Sequence, residues 1–263
     1  NSGGGLIFGN GPSQLNREQT HSIMRGHFLA LVEYHVEDNV EMQEYLWRPW
    51  ENLRPASATT SANAVVNLTF EEDATGPDVL VVDDFQTNTT SSVASSGAAV
   101  SFDVTSLTEG RFADGNNSLG FTSGDAFNGF TQAHSSVGAD NPRGVVFDWN
   151  NSNRFFEYDL GAGLDVSAFE HLSFRAAQGP RHPRTTSLNA AVDFEVRLED
   201  AAGTVRTVRL SDLGVSISEP YARGGCGGGV GWAAEFETVR LPLVDLMTGA
   251  KGLDLPAITK IGF

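Results

Sequence analysis

Three of the chain's six histidines fall in one stretch, "EQTHSIMRGHFLALVEYHVED", residues 18 to 38. On a helix, His27 and His35 stand about two turns apart, too far to share one metal ion, and His21 lies well around the helix from both. Helical geometry therefore takes the trio apart. His27 and His35 read as packing residues, and His21 reads either as a surface residue or as a general base whose partners lie elsewhere. No G-x-S-x-G nucleophile elbow and no H-E-x-x-H zinc motif occurs in the sequence. The carboxylate pairs Glu71/Glu72 and Asp83/Asp84 fall in expected loops or strand ends, where spacing alone gives no glycosidase geometry. Cys226 is the sole cysteine, so an internal disulfide and a multi-cysteine metal site are both excluded. With only Arg223 as a basic neighbour, it is not expected to act as a nucleophile.

These residues sit in a chain of 263 residues with a formal net charge of −16, of which 40% are apolar. That length buries a full core, and the charge argues against nucleic acid and anionic membranes as partners. Lys251 and Lys260 are the only lysines, the other basic residues being arginines. No apolar run reaches the ~18 residues of a membrane helix, so no membrane insertion is expected. The first residue is Asn1, not Met, which raises the expectation of upstream processing. Asn67, Asn88, Asn116 and Asn150 open Asn-x-Ser/Thr triplets, which a bacterial source would leave bare.

Two textures divide the chain. Residues 13 to about 54 carry helical periodicity, with Met24, His27, Phe28, Leu31, Val32 and His35 on one stripe. Asp38 followed by Glu41 resembles a capping box for a second short helix, "NVEMQEYLW". The domain organisation expected is a helical segment over 1–55, a Ser/Thr-rich linker over 56–77 and a β-domain over 78–263. In the last part "VLVVDDF", "AAVSFDV", "RGVVFDWN", "RFFEYDL", "HLSFRAAQ", "VDFEVRLED", "TVRTVRLS", "FETVRLPL" and "ITKIGF" each read as a short strand bounded by Gly, Asn, Asp or Pro. In one of them Phe194, Val196 and Leu198 alternate with Asp193, Glu195 and Arg197. The class expected is mainly β, an antiparallel β-sandwich preceded by a short α-helical segment.

The order of landmarks from "VVDDFQ" through "DLGAGLDVSAFEHLSFRAAQ" and "VDFEVRLEDAAGTVRTVRL" to "FETVRLPLVDL" and "LDLPAITKIGF" resembles jelly-roll carbohydrate-binding modules of the galactose-binding-like type. The resemblance spans roughly residues 78–263 and implies a jelly-roll sandwich that binds a polysaccharide or oligosaccharide. Such modules end on one more strand than this sequence carries. They often hold a structural Ca2+ between that strand and an early acidic residue, which implies Asp83 and Asp84 as early ligands. Two adjacent aspartates supply only part of the six to eight oxygens that calcium takes, and the alternative is a strand-end turn with solvated acids. A sugar site needs aromatic faces with charged or amide groups beside them. The candidates are Arg175, Asp193, Glu195 and Arg197 on a polar sheet face, where cross-strand ion pairing is the alternative, and Trp149, Tyr221 and Trp232 as rings. Trp149 closes a strand beside "NNSN", and Trp232 follows the glycine run "GGCGGGVGW", which reads as a mobile loop.

"QTHSIMRGHFLALVEYHVEDNVEMQEYLW" resembles the C-terminal end of an α/β-hydrolase, which implies His21 as the catalytic general base at a helix entrance. The functional expectation is a carbohydrate-binding module of a larger secreted hydrolase acting on polysaccharides or esters, extracellular or at a bacterial cell surface. An upstream catalytic domain of the same protein is its partner in that expectation. The alternatives are the C-terminal part of a serine hydrolase, and a structural or assembly β-sandwich of a cell-surface protein.

Overall fold

The computed structural model describes residues 17–47, 76, 78–114, 126–130, 141–180, 182–213, 216–224, 230–246 and 252–263. The linker stretch 56–64, the pair Glu71/Glu72, Asn67, Asn116 and Cys226 lie outside the described residues, as do the side chains of Tyr221 and Trp232.

The protein is mainly β, with antiparallel sheets preceded by a helical pair. Helix α1 runs Arg17–His35 and α2 runs Glu41–Trp47. They meet where Gly26 and His27 face Tyr45: the His27 and Tyr45 rings are 5.3 Å apart, edge to face. His27 Nδ1 lies 2.9 Å from the Ile23 carbonyl in the preceding turn, so this histidine packs within the helical pair, as expected for it. The turn between the helices differs from the expected Asp38 cap. Asp38 takes φ 53°, and it is the Asn39 side chain that accepts from the Glu41 N–H, at 3.3 Å. The apolar stripe also differs: Met24, Phe28, Leu31 and His35 are exposed, so His35 is not the packing residue expected, while the buried Ala30 lies off the stripe.

Among the described residues the strands are β1 Ala99–Phe102, β2 Thr105–Arg111, β3 Arg143–Asp148, β4 Phe156–Leu164, β5 His171–Ala176, β6 Glu195–Asp200, β7 Val205–Arg209, β8 Tyr221–Gly224, β9 Val230–Ala233, β10 Glu237–Pro242 and β11 Ile258–Gly262. Between β5 and β6 lies the short helix α3, Pro183–Leu188, and after β10 lies α4, Leu243–Leu246. Five strands form one sheet in the order β1-β4-β11-β6-β7, and the pairs β10-β5, β2-β3 and β8-β9 stand apart from it. Alternation in β6 follows the sequence pattern: Val196 and Leu198 are buried and Glu195 is exposed. Val239 and Leu241 of β10 share one core with them and with Ile258 and Ile261 of β11, and Leu172 and Phe174 of β5 pack against it. A second cluster, Phe156 and Tyr158 with Val145, Phe147 and Leu107, joins the β2–β3 hairpin to β4. A third, Phe112, Phe130 and Phe236, ties residues 126–130 to the start of β10. The paired Gly110 and Gly144 make room for it, because a Cβ on either would stand under 3 Å from the Phe127 or the Phe112 ring.

"VLVVDDF" forms no strand, against expectation. Asp83 Oδ1 accepts from the Phe85 and Ser95 N–H groups, and Asp84 Oδ1 accepts from those of Gln86 and Thr87. These side chains offer the backbone a local partner in place of a ladder. Phe85 at φ 54° turns the chain away. A similar device builds the β6–β7 hairpin: Asp200 Oδ1 accepts from Ala202 and Thr204, while Oδ2 takes the Asp254 N–H at 3.0 Å.

Two buried charges stand out. Glu109, its side chain almost wholly covered, pairs with Arg143 at 3.0 Å, and Arg143 Nε also donates to the Phe85 carbonyl at 2.7 Å. Burial pushes the Glu237 carboxyl up, against the Ser218 N–H it accepts at 2.6 Å and with help from the Glu235 charge.

Leu241→Ala, at a position 1% exposed, is expected to cost about 2–5 kcal/mol in denaturant unfolding. Phe28→Ala, at a ring 69% exposed, should stay within about 0.5 kcal/mol. For Glu237, a raised acid pKa means that the folded state holds the proton more tightly than the unfolded one. Stability therefore falls as pH rises above the ordinary value of 4.5. Glu237→Gln keeps an acceptor for Ser218 and should raise Tm at neutral pH, a gain that disappears in acid below that value. A Tm difference that does not change with pH would contradict this.

Candidate functional site

The site begins at Asp148, the last residue of β3. Its partner in β2 is Thr105, whose hydroxyl donates to Asp148 Oδ1 at 2.6 Å. Arg184, in α3, donates its Nε to the same oxygen at 2.5 Å, while His182 Nε2 stands 3.9 Å from Oδ2. Burial pushes the Asp148 carboxyl up, but hydrogen bonds from Thr105, Arg184 and Ser106, together with the Arg184 charge, outweigh it and hold the group below the ordinary carboxylate range. The site therefore contains a carboxylate kept ionised and braced by a guanidinium.

Local sequence explains why α3 can deliver Arg184. His182 is the N-cap, its Nδ1 accepting the Arg184 N–H at 3.2 Å; Pro183 opens the helix, and Asn189 ends it in the left-handed region. The preceding turn is fixed by Gln178, a buried residue whose amide donates to the Ala190 and Ile217 carbonyls, each at 2.9 Å. The His182 N–H donates weakly to the Gly179 carbonyl at 3.4 Å.

Trp149 follows Asp148 and caps a run of rings that starts in the core. Tyr158 meets Phe156 at 5.3 Å, Phe156 stacks on Phe147 at 5.5 Å, and Phe147 meets Trp149 at 5.9 Å. Trp149 is 38% exposed, so the run ends at the surface with a supported ring. The neighbouring loops are tied together. Asp103 N donates to the Phe155 carbonyl at 2.9 Å, and Arg154 donates to Asp103 Oδ1 at 2.5 Å. Asp148, Trp149, Arg154, His182 and Arg184 are among the residues that line a broad open space, which also takes in Asp83, Asp193, Glu195 and Arg197. Chemically this end offers a ring face, a carboxylate acceptor and guanidinium and imidazole donors.

The other residues singled out from the sequence divide among several places. Arg175 lies in β5, and its guanidinium stands 5.9 Å from the Phe236 ring centroid. Glu195 and Arg197 lie in β6 of the five-stranded sheet, with Asp193 just before it. Sequence order had set β5 and β6 side by side, but they belong to different sheets, joined through the core they share. On the polar side of the five-stranded sheet the charges pair with one another. Arg197 donates to Glu157 at 2.6 Å and also to Glu199, and Lys260 reaches Glu157 at 3.1 Å. Arg209 donates to Glu195 at 2.6 Å, and Asp193 accepts from the Ser211 hydroxyl at 2.7 Å. Tyr221 and Trp232 lie in the paired strands β8 and β9, which flank the glycine run.

Asp83 and Asp84 serve the turn described above. Tyr158 donates to Asp83 Oδ2 at 3.3 Å, and burial and the Asp83 charge raise the tyrosine hydroxyl. Asp84 Oδ2 accepts from the Thr87 hydroxyl at 2.6 Å. Burial pushes the Asp84 carboxyl up, but the bonds from Thr87, Gln86 and Ser95 outweigh it and hold it low. Each carboxylate is thus ringed by N–H and O–H donors, and among the described residues no group of three His, Cys, Asp or Glu side chains converges as metal ligands do. That donor set suits a turn. His21 lies in the second turn of α1, inside the helix, where the hydrolase resemblance had implied its entrance. Among the described residues no helix is long and apolar enough to cross a membrane.

Comparison with family models, with curated proteins and with solved structures returns no match to this chain.

Sequence reasoning reached Trp149 but not Asp148, His182 or Arg184. Pro183 followed by Asn189 was the available signal, since it marks a helix opening and a left-handed stop.

The Asp148 carboxyl is expected to titrate below 3.8, its ordinary value. Because its pKa is depressed in the fold, its stabilising contribution is present above that value and is lost as pH falls through the folded pKa. Thr105→Val removes one donor at nearly constant volume and should move the titration upward, as should Arg184→Ala. NMR titration of the carboxyl carbon checks this, and a midpoint unmoved in both variants would contradict the assignment.

Proposed function

We propose that the β-domain is a jelly-roll carbohydrate-binding module, and that the end of β3 is its glycan site. The observation that carries the reading is that β3 ends on an exposed Trp149 ring directly after Asp148, whose carboxylate Arg184 braces, so one strand end offers both a flat stacking face and planar polar groups suited to hydroxyls. The core that β5 and β10 share with β6 and β11 supports the sandwich part of the proposal. The charged side of the five-stranded sheet is the weaker location. Its arginines and carboxylates already neutralise one another, as cross-strand pairs do on an ordinary solvated sheet face.

In this reading the module serves a larger extracellular bacterial hydrolase that acts on polysaccharides or esters. It tethers that enzyme's catalytic unit and so raises the local substrate concentration. The net charge of −16 agrees with a partner that is neither nucleic acid nor an anionic lipid surface.

Binding of the full chain to insoluble and soluble glycans, by pull-down and affinity electrophoresis, tests the proposal. Trp149→Ala should weaken binding about tenfold or more, equivalent to at least ~1.4 kcal/mol. Arg197→Ala should leave it within about twofold, a difference of under ~0.5 kcal/mol. Loss with Arg197→Ala but not with Trp149→Ala would move the site to the sheet face. No glycan retained at all would overturn the proposal.

A further inference from the structure

Taking the end of β3 as a glycan site, we infer that it selects neutral sugars with adjacent hydroxyl groups and rejects uronic-acid and sulfated chains. The charge arrangement carries this. Arg184 spends its Nε on Asp148 Oδ1, which leaves its two terminal nitrogens as a planar fork, and its side chain is 47% exposed. The positive charge of that fork is already matched by a carboxylate that Thr105, Arg184 and Ser106 keep ionised. An anionic ligand would gain hydrogen bonds from the fork but would bring a second negative charge against Asp148. Its own charge would find no uncompensated cation in this pair.

A vicinal diol meets the same groups without that conflict. One hydroxyl donates to Asp148 Oδ2, the oxygen facing His182 at 3.9 Å, while the oxygens of both hydroxyls accept from the fork. His182 Nδ1 accepts the Arg184 N–H, which leaves the ring's proton on Nε2, turned toward Asp148. The imidazole thus contributes a donor at the rim. At longer range the charge of −16 repels polyanions, most strongly at low salt.

Affinity electrophoresis of the full chain separates these outcomes. Gels would carry neutral polymers (galactan, mannan, xylan) or acidic ones (polygalacturonate, alginate), run at low and at moderate salt. Retardation is expected in at least one neutral gel and in no acidic gel. Arg184→Lys keeps the charge but removes the fork, and it should weaken neutral-glycan binding about tenfold while Tm stays at the wild-type value. Retardation by acidic polymers alone, or equally by both classes, overturns the selectivity and leaves the glycan reading standing. Retardation by neither class overturns the glycan reading itself. Wild-type affinity in Arg184→Lys overturns the role given to the fork.

Discussion

The site depends on one strand pairing. β11, the last strand in the chain order, lies between β4 and β6 and holds the five-stranded sheet together. Its Ile258 and Ile261 enter the core from one side, while Phe263 exchanges two backbone hydrogen bonds with Phe156 at the start of β4. Phe156 is the ring on which Phe147 stacks, and Phe147 in turn supports Trp149. The pairing of the chain's end with β4 therefore fixes, through three rings, where the exposed indole stands. Loosening the terminal strand would blur the site before any site residue changed.

Polar groups play a similar part at the turns. Aspartates close several of them by accepting backbone N–H groups: Asp83 and Asp84 after "VLVV", Asp200 at the β6–β7 hairpin, and Asp165 before β5. A chain with this many acids spends a share of them on turn geometry. Adjacent carboxylates in such a sequence are accordingly weak signals for metal. Asp148 differs because it is braced by side chains from two other elements.

Much of the fold was legible in the sequence. The strands around "RGVVFDWN", "HLSFRAAQ", "VDFEVRLED" and "ITKIGF" all exist, because alternation and flanking turn residues encode them locally. "VLVVDDF" misled because its apolar run hides two aspartates that capture the backbone. β2 was missed because "TSLTEGR" has almost no apolar residues; it is held by pairing with β3 and by the Phe127 and Phe112 rings over its glycine pair. The candidate site was legible only in part. Trp149 announced itself by its type and its place at a strand end. Its partners arrive from α3, some thirty-five residues on, through a loop whose path depends on tertiary contacts. Neighbouring strands in sequence, β5 and β6, proved to lie in different sheets, so an Arg and carboxylate face drawn across them does not form.

The most direct measurement is a chemical-shift map of the isotope-labelled chain titrated with a neutral oligosaccharide. The account predicts perturbations concentrated at Thr105, Asp148, Trp149, His182 and Arg184, together with the Trp149 indole N–H. Perturbations centred on Glu157, Arg197, Glu199 and Lys260, or none at saturating sugar, would contradict it.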